Sequence, residues 1–499
     1  MEGTHLKQAR LPRLGRDSAW LAGADIIAVF LALLGQVVLT RALWTETYGL
    51  FIIALDVFAT LFLVIDLCLP TLLARDGANA PHRIWPSILR IYNLQIRAAI
   101  PFLIVSLFVV LSVASLSSHL PLVLLCAVIA LVHIASYAPR SGLRAAGEAR
   151  LEAWTKVLER GITTLTYLAL YGLGVTSVAG YASAFLLGAM CGLVFALVWV
   201  KSTLRGYSHD QGCPGDMGEV LISNRTLLVQ ALPFAITLGV LPYVVRVEKF
   251  IVSIELGVDS AALFHVAQLA WLAGLVIPQA LRAALLPVLG KVRHNEQEFS
   301  HHMNAALDVC MGLLPIGIFS GAAIVGLFLP LAFPTQYIDG SLGASAVDLF
   351  TVLLLGWCFT MLSTTTYTAL QAGMHPWRFT LFIVVVVGFS AVVGLWLIGW
   401  QATYGLTEGL YAAALASSLS ALFALITSIH LSNSWPYVFG RFKQWVFAIT
   451  GIVLACAGIL QDSWLVLGGI VLLPFIPQAV EAVRSKLQEN HVLKTLQEE

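Results

Sequence analysis

The sequence predicts an all-α polytopic membrane protein: about fourteen transmembrane helices, arranged as two pseudo-symmetric six-helix lobes plus two C-terminal helices. Three observations carry this. The chain is 59% hydrophobic and 11% charged, against about 25% charged residues in an ordinary soluble domain. Apolar runs of roughly 18 residues or more return at intervals of about 30, each long enough to cross a ~30 Å hydrocarbon core as a helix. Lysine and arginine sit in alternate connections and avoid the ones between.

The runs centre near residues 29, 61, 103, 129, 165 and 189, then near 240, 272, 317, 357, 389 and 418, and finally near 451 and 472. The first, Ala19 to Thr40, exceeds the about 7–15 residues of a signal-peptide core and reads as a retained span. Connections on one side carry Arg75, Arg83 and Arg90, then Arg140, Arg144 and Arg150, then Lys201, Arg205 and Arg225, and so on to Arg441 and Lys443. The opposite ones carry Arg41 as their single cation. The positive-inside bias therefore predicts a multi-pass protein of the cell (inner, cytoplasmic) membrane with both termini in the cytoplasm. The polar stretch 201–225, rich in Gly, Ser and Asp, reads as a flexible connector. It sets an expected N-terminal lobe at 1–221, a C-terminal lobe at 222–435, and spans 13 and 14 with a tail at 436–499.

Two short similarities indicate an internal repeat. "LWTETYGLF" (43–51) and "LGVDSAALF" (256–264) each precede the second span of a lobe, with one acid in a polar turn. "LRAAG" (143–147) and "LQAG" (370–373) each close a fourth span.

The segments around these repeats resemble the polysaccharide-exporter branch of the multidrug/oligosaccharidyl-lipid/polysaccharide exporter superfamily, with Wzx-type O-antigen flippases as the nearest group. The residues that carry the resemblance are "LTRALWTETYGLFIIALDVFATLF" (39–62), "DLCLPTLLARD" (66–76), "LPFAITLGVLPYVVRVEKFIVSIELGVDSAALFHVAQ" (232–268) and "IPQALRAALLPVLGK" (277–291). Trp44 stands where the pattern usually has Gly, and span 7 carries Arg-x-Glu-Lys where many relatives have a single acid. The resemblance implies two six-helix lobes around a central cavity. It also implies alternating-access transfer of a polyprenyl-pyrophosphate-linked oligosaccharide to the outer leaflet. Implied partners are that lipid-linked substrate, membrane lipids and glycan polymerase or assembly proteins.

Ionisable residues inside spans cost about 2.5–3.5 kcal/mol each at the helix centre, so they face a partner or a cavity. "YVVRVEKFIVSIELG" (243–257) places Arg246, Glu248 and Lys249 in one otherwise apolar span. On a continuous helix Arg246 and Lys249 share a face, while Glu248 points about 200° away. The two cations are candidates to hold an anionic head group, with Glu248 neutralising a residue on a neighbouring span or lining the same cavity from its edge. The other reading is a local charge network near the outer surface, with Lys249 snorkelling. Pro233 and Pro242 predict kinks in this span. Arg41 and Arg97 are further candidate substrate contacts, or interfacial anchors. Asp25 and Asp56 are candidate ion-coupling carboxylates for a proton or sodium, or partners of Arg residues across the lobe. Asp66 reads as an interfacial partner of Arg75 or of a neighbouring helix, and Glu152, Lys156, Glu159 and Arg160 as an interfacial ion-pair stripe.

The remaining chemistry is sparse. Net charge is +1, which gives no footprint for nucleic acid. The seven cysteines show no CxxC or metal spacing, His301–His302 lacks an HExxH context, and there is no Walker A lysine motif. No cofactor and no catalytic residues are expected. Four functions are weighed: a lipid-linked oligosaccharide flippase, a cation-coupled drug or metabolite antiporter of the same superfamily, a membrane glycan polymerase or ligase, and a non-transporting scaffold. The short outer connections argue against the enzyme, and the Arg246–Lys249 pair argues against the antiporter.

Overall fold

The computed structural model describes residues 14–76, 83–112, 119–205, 224–292, 294–323, 328–373 and 376–439. It is helical nearly throughout, with no strand among the described residues. The chain divides into two compact units, Met1–Pro242 and Tyr243–Glu499.

The first unit holds α1 (Leu14–Ala42), α2 (Thr45–Leu61), α3 (Leu63–Asp66), α4 (Leu69–Asp76), α5 (Ile84–Ser112), α6 (Leu120–Ala145), α7 (Ala149–Gly172), α8 (Val178–Leu204) and α9 (Asn224–Val240). A 3₁₀ turn, Leu241–Val245, follows α9. The second unit holds α10 (Val247–Glu255), α11 (Val258–Gly274), α12 (Val276–Val292), α13 (Glu296–Ala323), α14 (Leu329–Ala332), α15 (Ala346–Ala372), α16 (Pro376–Ala402), α17 (Leu406–Leu431) and α18 (Trp435–Phe439). Eight helical segments among the described residues are long and apolar enough to cross a membrane, and Ala231–Val245 is a shorter apolar one. The expected spans near 451 and 472, and most of the 201–225 connector, lie outside the described residues.

Helices in lipid gain little from burying leucine, so close approach depends on small residues. In the first unit, α8 presents Gly188 and Gly192 to α7. A methyl group at Gly188 would lie 2.0 Å from Thr163 Oγ1 and 2.8 Å from the Glu159 carbonyl, so this spacing requires glycine. On α6, a methyl at Gly142 would lie 2.9 Å from Ile88 Cδ1 of α5. Between α4, α5 and α6 a core of Leu69, Leu72, Leu73, Ile84, Ile88, Ile91 and Leu143 closes one end of the unit.

In the second unit α15 is the central post, buried along most of its length and packed on α11, α12, α13 and α17. Trp357 fills the space that Gly274 of α11 and Gly317 of α13 leave open. Hydroxyls on α15 bond back to the turn before, as Thr364 does to the Thr360 carbonyl (2.8 Å), and Thr366 meets Ser428 of α17 at 2.7 Å.

The repeat segments occupy equivalent places. Phe51 and Phe264 are fully buried early in α2 and α11, and Glu46 and Asp259 each lie in the first turn. There an acid favours the positive end of the helix dipole. Gly257 takes φ +93°, which favours glycine, whereas Trp44 is extended at φ −64°. The sequence difference at this pair is therefore a backbone difference too. "LRAAG" and "LQAG" likewise close α6 and α15.

Candidate functional site

Each unit buries its own centre of charge. In the second unit it forms where the helix breaks. Pro242 has no N–H to give, and the chain passes through the 3₁₀ turn before α10 begins at Val247 with Arg246 as its N-cap. Gln268 of α11 repairs part of the break, its amide donating to the Val245 carbonyl at 3.3 Å. Because the helix is interrupted there, the face-sharing expected of Arg246 and Lys249 does not follow from helical spacing. Pro233, by contrast, stands inside α9.

Lys249 is 2% exposed, and its ammonium lies 3.1 Å from His265 Nδ1 of α11. This buried position overturns snorkelling for Lys249. Glu248 is 1% exposed on the other side of α10. Its Oε1 accepts from Ser390 of α16 (2.6 Å) and Ser420 of α17 (3.4 Å). Arg246 remains half-buried at the helix start, beside the Tyr243–Phe250 ring pair at 6.4 Å. The three charges thus divide their roles: two tie α10 into the unit and one keeps accessible surface.

In the first unit the charge lies between α6 and α7. Arg140 and Arg144 are one turn apart on α6; Glu152 and Glu159 are two turns apart on α7. The helices join through a short turn and run antiparallel, so Arg144 meets Glu152 and Arg140 meets Glu159. Arg144 adds a second bond, Nε to Glu152 Oε2 at 2.8 Å. The other Glu159 oxygen lies 3.3 Å from His133 Nδ1. Gly192 of α8 roofs this pair, since a methyl there would come 2.9 Å from Glu159 and 3.2 Å from Arg140. The expected interfacial stripe on α7 is therefore corrected. Glu152 and Glu159 are buried at 1% and 4%, with partners on α6. Arg140 and Arg144 belong to a helix rather than a connection.

The other expected residues are separate. Asp25 is exposed on α1 and pairs with Lys156 of α7 at 2.8 Å. A separate apolar cleft of about 420 Å³ between α1 and α7 is lined in part by Trp20, Ala24, Ile27 and Trp154. Asp56 is half-buried in α2. Arg41 is exposed in the last turn of α1, and Arg97 is exposed on α5. Asp66 is 4% exposed and accepts from Gln95 of α5 at 3.1 Å, a partner on a neighbouring helix. Among the described residues no three His, Cys, Asp or Glu side chains converge as a metal set. Sequence reasoning missed Ser390, Ser420, Gln95 and the His133–Arg140–Glu159 contacts. The readable signals were polar residues inside apolar runs and the "GAMCG" spacing at 188–192.

Two helical units, each with a buried charge centre, make up the described residues, and solved structures share the fold. A MATE protein in complex with MaL6 matches with TM-score 0.56 at 17% identity, covering 89% of this chain and 99% of that one. The inward-facing conformation of a multidrug resistance MATE family transporter of the MOP superfamily matches with TM-score 0.57 at 19% identity, covering 84% and 95%. A MOP superfamily transporter from Pyrococcus furiosus Vc1, described as having a binding pocket of reverse polarity, matches with TM-score 0.58 at 16% identity, covering 89% and 99%. No curated protein matches. The sequence profile of the polysaccharide biosynthesis protein family matches residues 14–292. The chain belongs to that family.

Proposed function

We propose that the protein is a flippase, moving a polyprenyl-pyrophosphate-linked oligosaccharide from the cytoplasmic to the outer leaflet of the cytoplasmic membrane by alternating access. The observation that carries this reading is the polysaccharide biosynthesis family match across the first unit and into the second. Arg246 is the proposed contact for the pyrophosphate: a guanidinium offers paired donors to phosphate oxygens, and this one keeps accessible surface at a helix start. Lys249 and Glu248 contribute by fixing α10 on α11, α16 and α17. Arg41 and Arg97, both exposed, are proposed to meet the head group at other stages of the passage. Asp25 and Asp56 are the proposed coupling carboxylates. Both termini are proposed to lie in the cytoplasm, which the Lys/Arg bias supports, and glycan polymerase or assembly proteins are the proposed partners.

Solved MATE structures share the fold, so a cation-coupled drug or metabolite antiporter is the second reading. The two separate in cells that depend on this gene for surface glycan. The flippase reading expects Arg246→Ala to insert normally and lose surface glycan. Normal glycan in that variant removes Arg246 from the site. Normal glycan without the gene, together with new drug sensitivity, favours the antiporter.

A further inference from the structure

The cleft between α1 and α7 is built from small residues beside large ones. On α1, Trp20, Gly23, Ala24 and Ile27 follow the i, i+3, i+4, i+7 spacing of one helix face. On α7, Ala153, Trp154 and Val157 meet them. Ala24 and Ala153 are buried, whereas Trp20 and Trp154 are both exposed. Gly23 contributes no side chain, and a methyl group built on it would meet nothing within 4 Å. From Trp20 to Ile27 the cleft runs about 10 Å along α1. Its volume is about 420 Å³, within the range of small-molecule pockets. Apolar walls of this kind take a hydrocarbon in preference to water.

One end of the cleft carries a cation. Arg150 stands one turn before Trp154 on α7, and its guanidinium carbon lies 5.2 Å from the ring centre of Trp20, inside the reach of a cation–π contact. A guanidinium carries its N–H donors in its own plane, so a ring against its face leaves them to an acceptor. The nearby charges are matched elsewhere: Lys156 pairs with Asp25, Arg144 with Glu152, and Arg140 with Glu159. Glu148 is the N-cap of α7, at the positive end of that helix's dipole. Arg150 forms no ion pair with it or with any other acid among the described residues. The Lys/Arg bias assigns the starts of α1 and α7 to the cytoplasmic side. Anionic lipids attract basic residues at that leaflet, and tryptophan settles at its interface.

We propose that the α1–α7 cleft binds one anionic phospholipid of the cytoplasmic leaflet, with an acyl chain between Trp20 and Trp154 and the phosphate on Arg150. An apolar cleft with a cation at its end fits an amphiphile and not a free anion. One unmatched guanidinium balances the single negative charge of a phosphodiester, whereas a pyrophosphate brings further charge that nothing here meets. The bound lipid bridges α1 and α7, which the Lys156–Asp25 pair also joins. The site shares no residue with Arg41, Arg97 or Arg246 and does not rest on the flippase reading.

The test uses the full-length protein in phosphatidylcholine nanodiscs without glycan. Each preparation carries the same small fraction of one probe, phosphatidylglycerol or phosphatidylcholine with a photoreactive acyl chain, and labelled peptides are identified by mass spectrometry after illumination. Phosphatidylglycerol is expected to label peptides covering 20–27 and 150–157 about fivefold more than phosphatidylcholine does. Arg150→Gln is expected to bring the two probes level. Gly23→Leu, which puts a side chain into the cleft from α1, is expected to remove the label from both peptides, and Val157→Phe does the same from α7. Thermal unfolding in unlabelled nanodiscs checks that each variant is folded. Equal labelling by the two probes in the wild type overturns the site, as does label that persists in the folded cleft-filling variants. A preference for phosphatidylglycerol that survives Arg150→Gln overturns it as well. Photoreactive polyprenyl phosphate is the third probe: stronger labelling of the same peptides by it than by phosphatidylglycerol assigns the cleft to the carrier lipid and overturns the phospholipid. None of these outcomes bears on glycan translocation, which is read in a different assay.

Discussion

At the scale of single residues, the chain spends its few charges in pairs that hold helices together. Arg140 and Glu159 illustrate the energetics. Removing one partner of a buried pair leaves the other charge unpaired and costs about 3–5 kcal/mol, while replacing both by well-packed apolar residues is often neutral. Glu159→Gln should therefore lower the thermal midpoint of the purified protein sharply, and Arg140→Met with Glu159→Leu should recover most of the loss. A double variant no more stable than the single would show that the pair does more than satisfy itself. Glu248 gives a second case. Glu248→Gln keeps an acceptor for Ser390 and Ser420, so it should retain more stability than Glu248→Ala; equal melting of the two variants would remove those hydroxyls from the account. The charged triplet at 246–249 was visible as an oddity in an apolar run. Its separate partners were not, because Ser390, Ser420 and His265 come from helices that sequence spacing does not place together.

At the scale of elements, glycine and proline decide where helices touch and where they stop. Gly188→Ala must displace Thr163 and press on the Glu159 carbonyl of α7, a strain of about 1–3 kcal/mol. Gly23→Ala meets nothing within 4 Å and should be neutral. Comparing the two midpoints by thermal melting separates helix contact from a general dislike of lost glycine. Equal effects would contradict close α7–α8 packing. Apolar length predicted most helices, and the repeat was readable because Phe51 and Phe264 keep matching places after their sequences have diverged. The break at Pro242 was legible as a kink. The break at 66–69 was not singled out, since Pro70 lies where an ordinary end of a span was expected. The buried ladder Arg140/Arg144–Glu152/Glu159 was misread because arginines near a turn resemble a cytoplasmic connection. Only the antiparallel pairing of α6 and α7 brings them over the two acids.

At the scale of the whole molecule, composition points to the membrane, the chain divides into two units at Pro242–Tyr243, and the proposed substrate rests on the family. The Lys/Arg bias makes a separate prediction. In intact cells, a single cysteine placed beside Lys201 should resist an impermeant thiol reagent, and one at Trp44 should react; the reverse pattern would invert the orientation. The central claim is the translocation itself, and it is tested most directly in proteoliposomes. Purified protein is reconstituted with a fluorescent polyprenyl-pyrophosphate-linked oligosaccharide, and a membrane-impermeant lectin or glycosidase reports the leaflet exposed outside. The account predicts protein-dependent appearance of the glycan in that leaflet, slowed about tenfold or more by Arg246→Ala through lost phosphate contacts. No transbilayer movement beyond that of empty vesicles, with a correctly inserted and folded protein, would contradict it.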